Sequence, residues 1–244
     1  MPKLSTPILA LAVAIAVFVL APATGFAGRP VYKGAAEDRS SFNNAKVVDD
    51  SEVSYSYYAE LSPGRPDIYQ VYARQGQAFN PSLLIPRSDD LKSFAPSMAL
   101  IGPGIGDPTA SARISDLPVK PPTDTGVLVV NDQGGTTNRP TYSDPLTLAG
   151  YWKGPEVNQP YPKDGPYYVV VWDKAKRGGR YVLTIGERDE FGLVDLIKYP
   201  YTWAKLQLWL GNWVALGISA VALAALVFLV ARWLSRRRKN VRAA

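Results

Sequence analysis

The chain has 244 residues and contains neither cysteine nor histidine. Those absences exclude a disulfide framework, thiolate and imidazole metal sites, a cysteine nucleophile, a Ser-His-Asp triad and a histidine-ligated haem. The formal charge of +6 is a property of the ends: six of the 27 basic residues follow position 231 and Lys3 lies at the start, leaving 20 against 21 acidic residues between them, so no nucleic-acid partner is expected.

Residues 1–27 read as a secretory signal peptide. Lys3 supplies the positive start, "ILALAVAIAVFVLAP" the apolar stretch, and Gly25 and Ala27 the small residues before a cut after Ala27. The alternative is an uncleaved N-terminal anchor. Residues 28–50 are polar and without a period, which predicts a flexible leader.

From residue 51 the pattern changes. "EVSYSYYAEL" alternates Val53, Tyr55, Tyr57, Ala59 and Leu61 against Ser54, Ser56, Tyr58 and Glu60, the two-residue period of a half-buried strand. "DIYQVYAR", "PSLLIPR", "SMALIGPG", "GVLVVND" and "LTLAGYW" are further short β-rich runs separated by turn residues. Strands 167–172 and 180–185 flank "DKAKRGG" and read as a hairpin. No helical period interrupts residues 51–188. The expectation is an all-β, antiparallel, jelly-roll-like β-sandwich over that range, its prolines on loops and edges.

The stretch "DGPYYVVVWDKAKRGGRYVLTIGE" resembles the last hairpin of bacterial pre-peptidase C-terminal-type domains, which are small jelly-roll-like sandwiches. Gly165, Tyr167, Tyr168, Val169, Val171, Gly179, Tyr181, Leu183 and Ile185 carry the resemblance. It implies a sandwich and an accessory role, and it transfers no site residues.

Several segments invite a chemical reading. "GPGIGD" at 102–107 lacks the Lys-Ser/Thr of a phosphate loop and reads as a turn. "NDQGGTTN" at 131–138 offers Asn131 and Asp132 as oxygen ligands, but its spacing does not match a calcium loop. No metal and no cofactor is expected. The carboxylate pairs Asp49-Asp50, Asp89-Asp90 and Asp189-Glu190 fall in charged loops. Tyr151, Trp152 and Tyr161, with Tyr167 nearby, form an aromatic stretch among Asp, Asn and Lys. Such rings either present a recognition surface for a sugar or a protein, or fill the core.

Residues 189–209 mix Leu, Ile, Val and aromatic residues with Lys198 and Lys205. This composition predicts a juxtamembrane amphipathic segment, interrupted at Pro200. Residues 210–233 are expected to be a transmembrane helix, because the 18 residues from Val214 to Ala231 carry no charge. Trp203, Trp209, Trp213 and Trp233 are candidates for the membrane interface. The tail 234–244 holds Arg236, Arg237, Arg238 and Lys239, and its one-sided charge predicts a cytoplasmic C-terminus. Together these features predict a single-span type I membrane protein with its domain periplasmic or extracellular. The expected role is a non-enzymatic recognition or accessory module of the cell envelope. Its partners would be the bilayer and another envelope protein or a polysaccharide. The competing reading is a tethered glycoside-type hydrolase working through carboxylates alone.

Overall fold

The computed structural model describes residues 28–33, 37–106, 117–132, 139–144, 147, 149–188 and 193–242. The signal segment 1–27 and its cleavage site at Ala27 lie outside that set, as does most of loop 131–138. Strands β1 (Arg29–Tyr32), β2 (Lys46–Val47), β3 (Tyr55–Leu61), β4 (Asp67–Ala73), β5 (Ala78–Phe79), β6 (Ser82–Pro86) and β7 (Pro96–Gly102) come first. Then follow β8 (Gly126–Val130), β9 (Thr141–Asp144), β10 (Ala149–Glu156), β11 (Gln159–Pro160), β12 (Gly165–Asp173) and β13 (Gly179–Ile185). Helices α1 (Leu193–Leu210) and α2 (Trp213–Arg242) close the chain. The strands and the C-terminal helices belong to two separate compact units, divided near residue 195.

The strands form two main sheets, ordered β1-β3-β13-β6-β10-β9 and β2-β4-β12-β7-β8, plus a small β11-β5 ribbon. One core lies between them. Tyr57, Leu61, Leu83 and Leu183 enter it from the first sheet, and Tyr69, Val71, Leu100 and Val171 from the second. The alternation read in residues 53–61 is this inward face. The five-stranded sheet is buried on its outer side too. There Ile68, Ala99, Val129, Val170 and Trp172 pack together under Phe42, Leu117 and Val119. Burial on both faces explains why β12 reads as a continuous apolar run instead of alternating.

Two expectations about this unit need correction. The segment read as a flexible leader is woven into both sheets: β1 pairs parallel with β3, and β2 pairs parallel with β4. The Arg29 amide donates to the Ser54 carbonyl at 2.6 Å, and the Val48 amide to that of Gln70 at 2.8 Å. Between the strands, the Arg39 guanidinium donates to Asp67 at 2.9 Å, both side chains being buried. The polar composition of 28–50 reflects edge strands with one solvated side and a buried ion pair. Second, β12 and β13 are not a hairpin. β12 pairs with β4 and β7, and β13 with β3 and β6 in the opposite sheet. The Asp173 carboxylate shapes the connecting arch by accepting from the Ala175 and Arg177 amides and from Arg177 Nε.

In the second unit, α1 runs through Pro200 without ending there, contrary to the expected interruption. Gly211, at φ +72°, stops it, as a left-handed residue after a helix does. Asn212 then starts α2, its side-chain oxygen accepting from the Ala215 amide at 3.2 Å. Among the described residues, Trp213–Arg232 is the stretch long and apolar enough to cross a membrane, and none of that window is buried in protein.

Candidate functional site

Strand β10 carries the irregularity that builds the site. Lys153 lies opposite Leu84 and Glu156 opposite Ser82, so three steps along β10 match two along β6. Side chains three apart on a regular strand point to opposite faces. The extra residue of this bulge brings Lys153 and Glu156 to the same face. That face is the outer one, since Leu83 and Ile85 point into the core. Gly154 sits within the bulge, where a Cβ would come within 2.9 Å of Ile85 Cδ1 and 3.1 Å of Leu83 Cβ. A larger residue would need the end of the Ile85 side chain to shift and Leu83 to give slightly.

Beneath the two charges lies a groove of about 280 Å³, lined also by Ser54, Ser82, Leu84, Tyr142 and Thr184. Lys153 and Glu156 are exposed, and neither forms an ion pair with a described residue. Ser82 Oγ and Thr184 Oγ1 lie 2.6 Å apart on adjacent strands. Tyr142 is half-buried among the lining residues, its ring centroid 6.5 Å from that of Tyr151. Burial, and then the negative charge of Asp144, hold the Tyr142 hydroxyl above the usual tyrosine range, so it stays protonated as a donor. The groove therefore offers an ammonium, a carboxylate, hydroxyls that donate and accept, and one aromatic ring.

A second cleft, of about 310 Å³, opens at the arch end. Arg65, Pro66, Pro118, Trp172, Lys174 and Lys176 line it with Asp173. It has one carboxylate, and that carboxylate is taken up by the arch contacts and by Arg177. Neither cleft brings two carboxylates together among the described residues. Glycoside hydrolysis of the usual kind requires two, flanking the bond to be cut.

The aromatic residues proposed from sequence as a recognition surface are buried. Tyr151 is 1% exposed, Trp152 9% and Tyr161 1%. Trp152 and Tyr161 belong to the inter-sheet core, and Tyr161 packs on Phe79 at 4.4 Å and on Tyr167 at 4.5 Å. Tyr151 faces the other way, where its hydroxyl lies 3.1 Å from Thr147 Oγ1. These three corrections share one cause: wide rings on strands are used first to fill space. Asp132, read as a possible metal ligand, is held in a buried ion pair with Arg139. Of the interface candidates, Trp213 is 69% exposed and Trp203 is half-buried. Trp209 is buried in protein at 9%, with Leu206 and Gln207 of the same helix. The side chains of Trp233 and of Arg236, Arg237, Arg238 and Lys239 lie outside the described set.

Sequence reasoning missed Lys153, Glu156 and Tyr142. The signal for the first two was present, since an isolated glycine inside a strand marks a bulge, and "WKGPE" places Gly154 between them. Nothing in the sequence marked Tyr142, which joins the groove through its pairing opposite Tyr151.

No family model matches the chain, and no curated protein matches it. Some solved structures are similar to part of it at low scores. One is a periplasmic inhibitor of g-type lysozyme from Salmonella Typhimurium, PliG, at 16% identity and a TM-score of 0.31, covering 58% of this chain and 97% of that one. Another is CorA, a surface-associated copper-binding protein from Methylomicrobium album BG8, at 9% identity and a TM-score of 0.29, covering 65% of this chain and all of that one.

Proposed function

We propose that this chain is a membrane-tethered recognition or accessory module of a cell envelope, without catalytic chemistry of its own. The sandwich stands outside the membrane, α2 crosses it and the basic tail stays in the cytoplasm. The observation that carries the recognition role is the bulge in β10, which sets Lys153 and Glu156, without an ion pair among the described residues, on one face over a hydroxyl-lined groove. A bulge that serves only to end a sheet has no need to turn two opposite charges toward the same cavity. The tether rests on an apolar helix that is not buried in protein and on the basic residues that follow it. A jelly-roll arrangement and kinship with the pre-peptidase C-terminal-type domains belong to the same reading. The carboxylate hydrolase is the weaker alternative, because each of the two clefts among the described residues has a single carboxylate.

The test is crosslinking of the intact protein in its own membranes, followed by capture. Wild type should retain an envelope protein or glycan that Lys153→Ala/Glu156→Ala loses. Equal capture by both proteins would remove the groove from the function.

A further inference from the structure

We infer that the groove over the β10 bulge binds a neutral saccharide chain. The inference rests on the recognition reading above and names its ligand class.

Charge is the first selector. Lys153 and Glu156 balance, so a polyanion meets Glu156 and a polycation meets Lys153, each at an electrostatic penalty. A neutral ligand with many polar groups suffers neither. Hydrogen-bond type is the second selector. A sugar hydroxyl both donates and accepts. The Glu156 carboxylate can accept from two neighbouring hydroxyls, and the Lys153 ammonium can donate to a third. Ser82 Oγ and Thr184 Oγ1, 2.6 Å apart, share one hydrogen bond in which one donates to the other, and lone pairs remain for a donor above them. Shape is the third. Tyr142 and Leu84 give the groove apolar surface for the C–H face of a pyranose ring, and Tyr142 adds a hydroxyl at its edge. The volume of about 280 Å³ suits a short segment of a chain more than an isolated ion. A zwitterionic peptide end would match the two charges, but it would leave the hydroxyls and the ring without a role.

The inference can be tested with the full-length protein in lipid nanodiscs, which avoids sugar-headed detergents. The probes are cellotetraose, chitotetraose and maltotetraose, with glycylglycine as the zwitterion. Saturation-transfer NMR and calorimetry would report binding. At least one tetrasaccharide should bind saturably, and Glu156→Gln and Lys153→Ala should each weaken it about tenfold. Both residues are exposed, so these variants should unfold at the wild-type temperature. Tyr142→Phe should keep most of the affinity, and Tyr142→Ala should lose it. No binding by any tetrasaccharide, affinity unchanged in the Lys153 and Glu156 variants, or preference for glycylglycine would each overturn the saccharide assignment. If the sugars fail while the double variant still loses its captured partner from membranes, the recognition reading stands and only the ligand class falls. If capture is also unaffected, both fall.

Discussion

Asp67 and Arg39 put opposite charges where the exposure is 6% and 3%. The carboxylate accepts from Arg39 at 2.9 Å and from the Tyr181 hydroxyl at 2.5 Å, and Tyr181 lies 2.8 Å from the Tyr69 hydroxyl. Removing one charge takes from the other its buried ionic partner, leaving Arg39 with Glu37 at 3.6 Å and Asp67 with the Tyr181 hydroxyl. Arg39→Ala and Asp67→Ala should therefore each cost about 3–5 kcal/mol, measured by urea unfolding. The double replacement should cost clearly less than the sum of the two. A loss below about 1 kcal/mol in both single variants would mean that water reaches the pair. The same tyrosines set a pH limit. Burial pushes the hydroxyls of Tyr57, Tyr69 and Tyr181 above the ordinary value. An unfolded tyrosine ionises near about pH 10 while the folded one does not, so the unfolded chain binds fewer protons above that point. Stability is then complete below about pH 10 and falls above it, by about 1.4 kcal/mol per pH unit for each such tyrosine. Urea midpoints that stay flat from neutral pH to about pH 11.5 would contradict this. Little of this was legible in the sequence. Arg39 sits in a polar stretch, and Asp67 opens a strand with nothing to mark it as buried.

At the level of elements, local pattern sufficed for β3, β4, β6, β7 and β8, because each alternates or forms an apolar run between turn residues. It failed where partnership decides the outcome. "DKAKRGG" has the composition of a hairpin loop, yet Asp173 folds it into an arch between sheets, and no local signal separates the two. The leader failed for a related reason. Short parallel edge strands have little apolar content, and their stability comes from a neighbour more than twenty residues away. Hydrogen exchange checks this directly. The amides of Arg29 and Val48 should exchange far more slowly than an unstructured chain, because each is bonded to a backbone carbonyl, that of Ser54 beside β3 and that of Gln70 in β4. Exchange at the unstructured rate would return 28–50 to a flexible leader. The bulge is the opposite case, an irregularity the sequence did announce. Gly154 followed by Pro155 breaks the strand rhythm between Lys153 and Glu156, and both residues matter through the face they share.

On the scale of the whole molecule, the placement of the sandwich depends on α2. Its 20-residue candidate span, Trp213–Arg232, is about 30 Å long at the helical rise and matches the hydrocarbon core. Trp213 is 69% exposed at the start of that span, where an indole favours the interface. Trp209, before Gly211, is buried at 9%, whereas the apolar stretch long enough to cross a membrane runs from Trp213. The proposed direction rests on charge. Arg236, Arg237, Arg238 and Lys239 come after the span, and the residues just before it carry no comparable cluster. Positive residues near a span are retained in the cytoplasm. Protease added to sealed cells, or to spheroplasts where an outer membrane is present, should therefore remove an epitope placed in the Gly64 turn and spare one placed after Ala244. Detergent should expose both. Loss of the C-terminal epitope in sealed cells would reverse the topology and put the groove of β10 in the cytoplasm, away from any envelope polysaccharide. Protection of both epitopes would mean that the sandwich itself lies inside, and the saccharide assignment would lose its physical setting along with the tether.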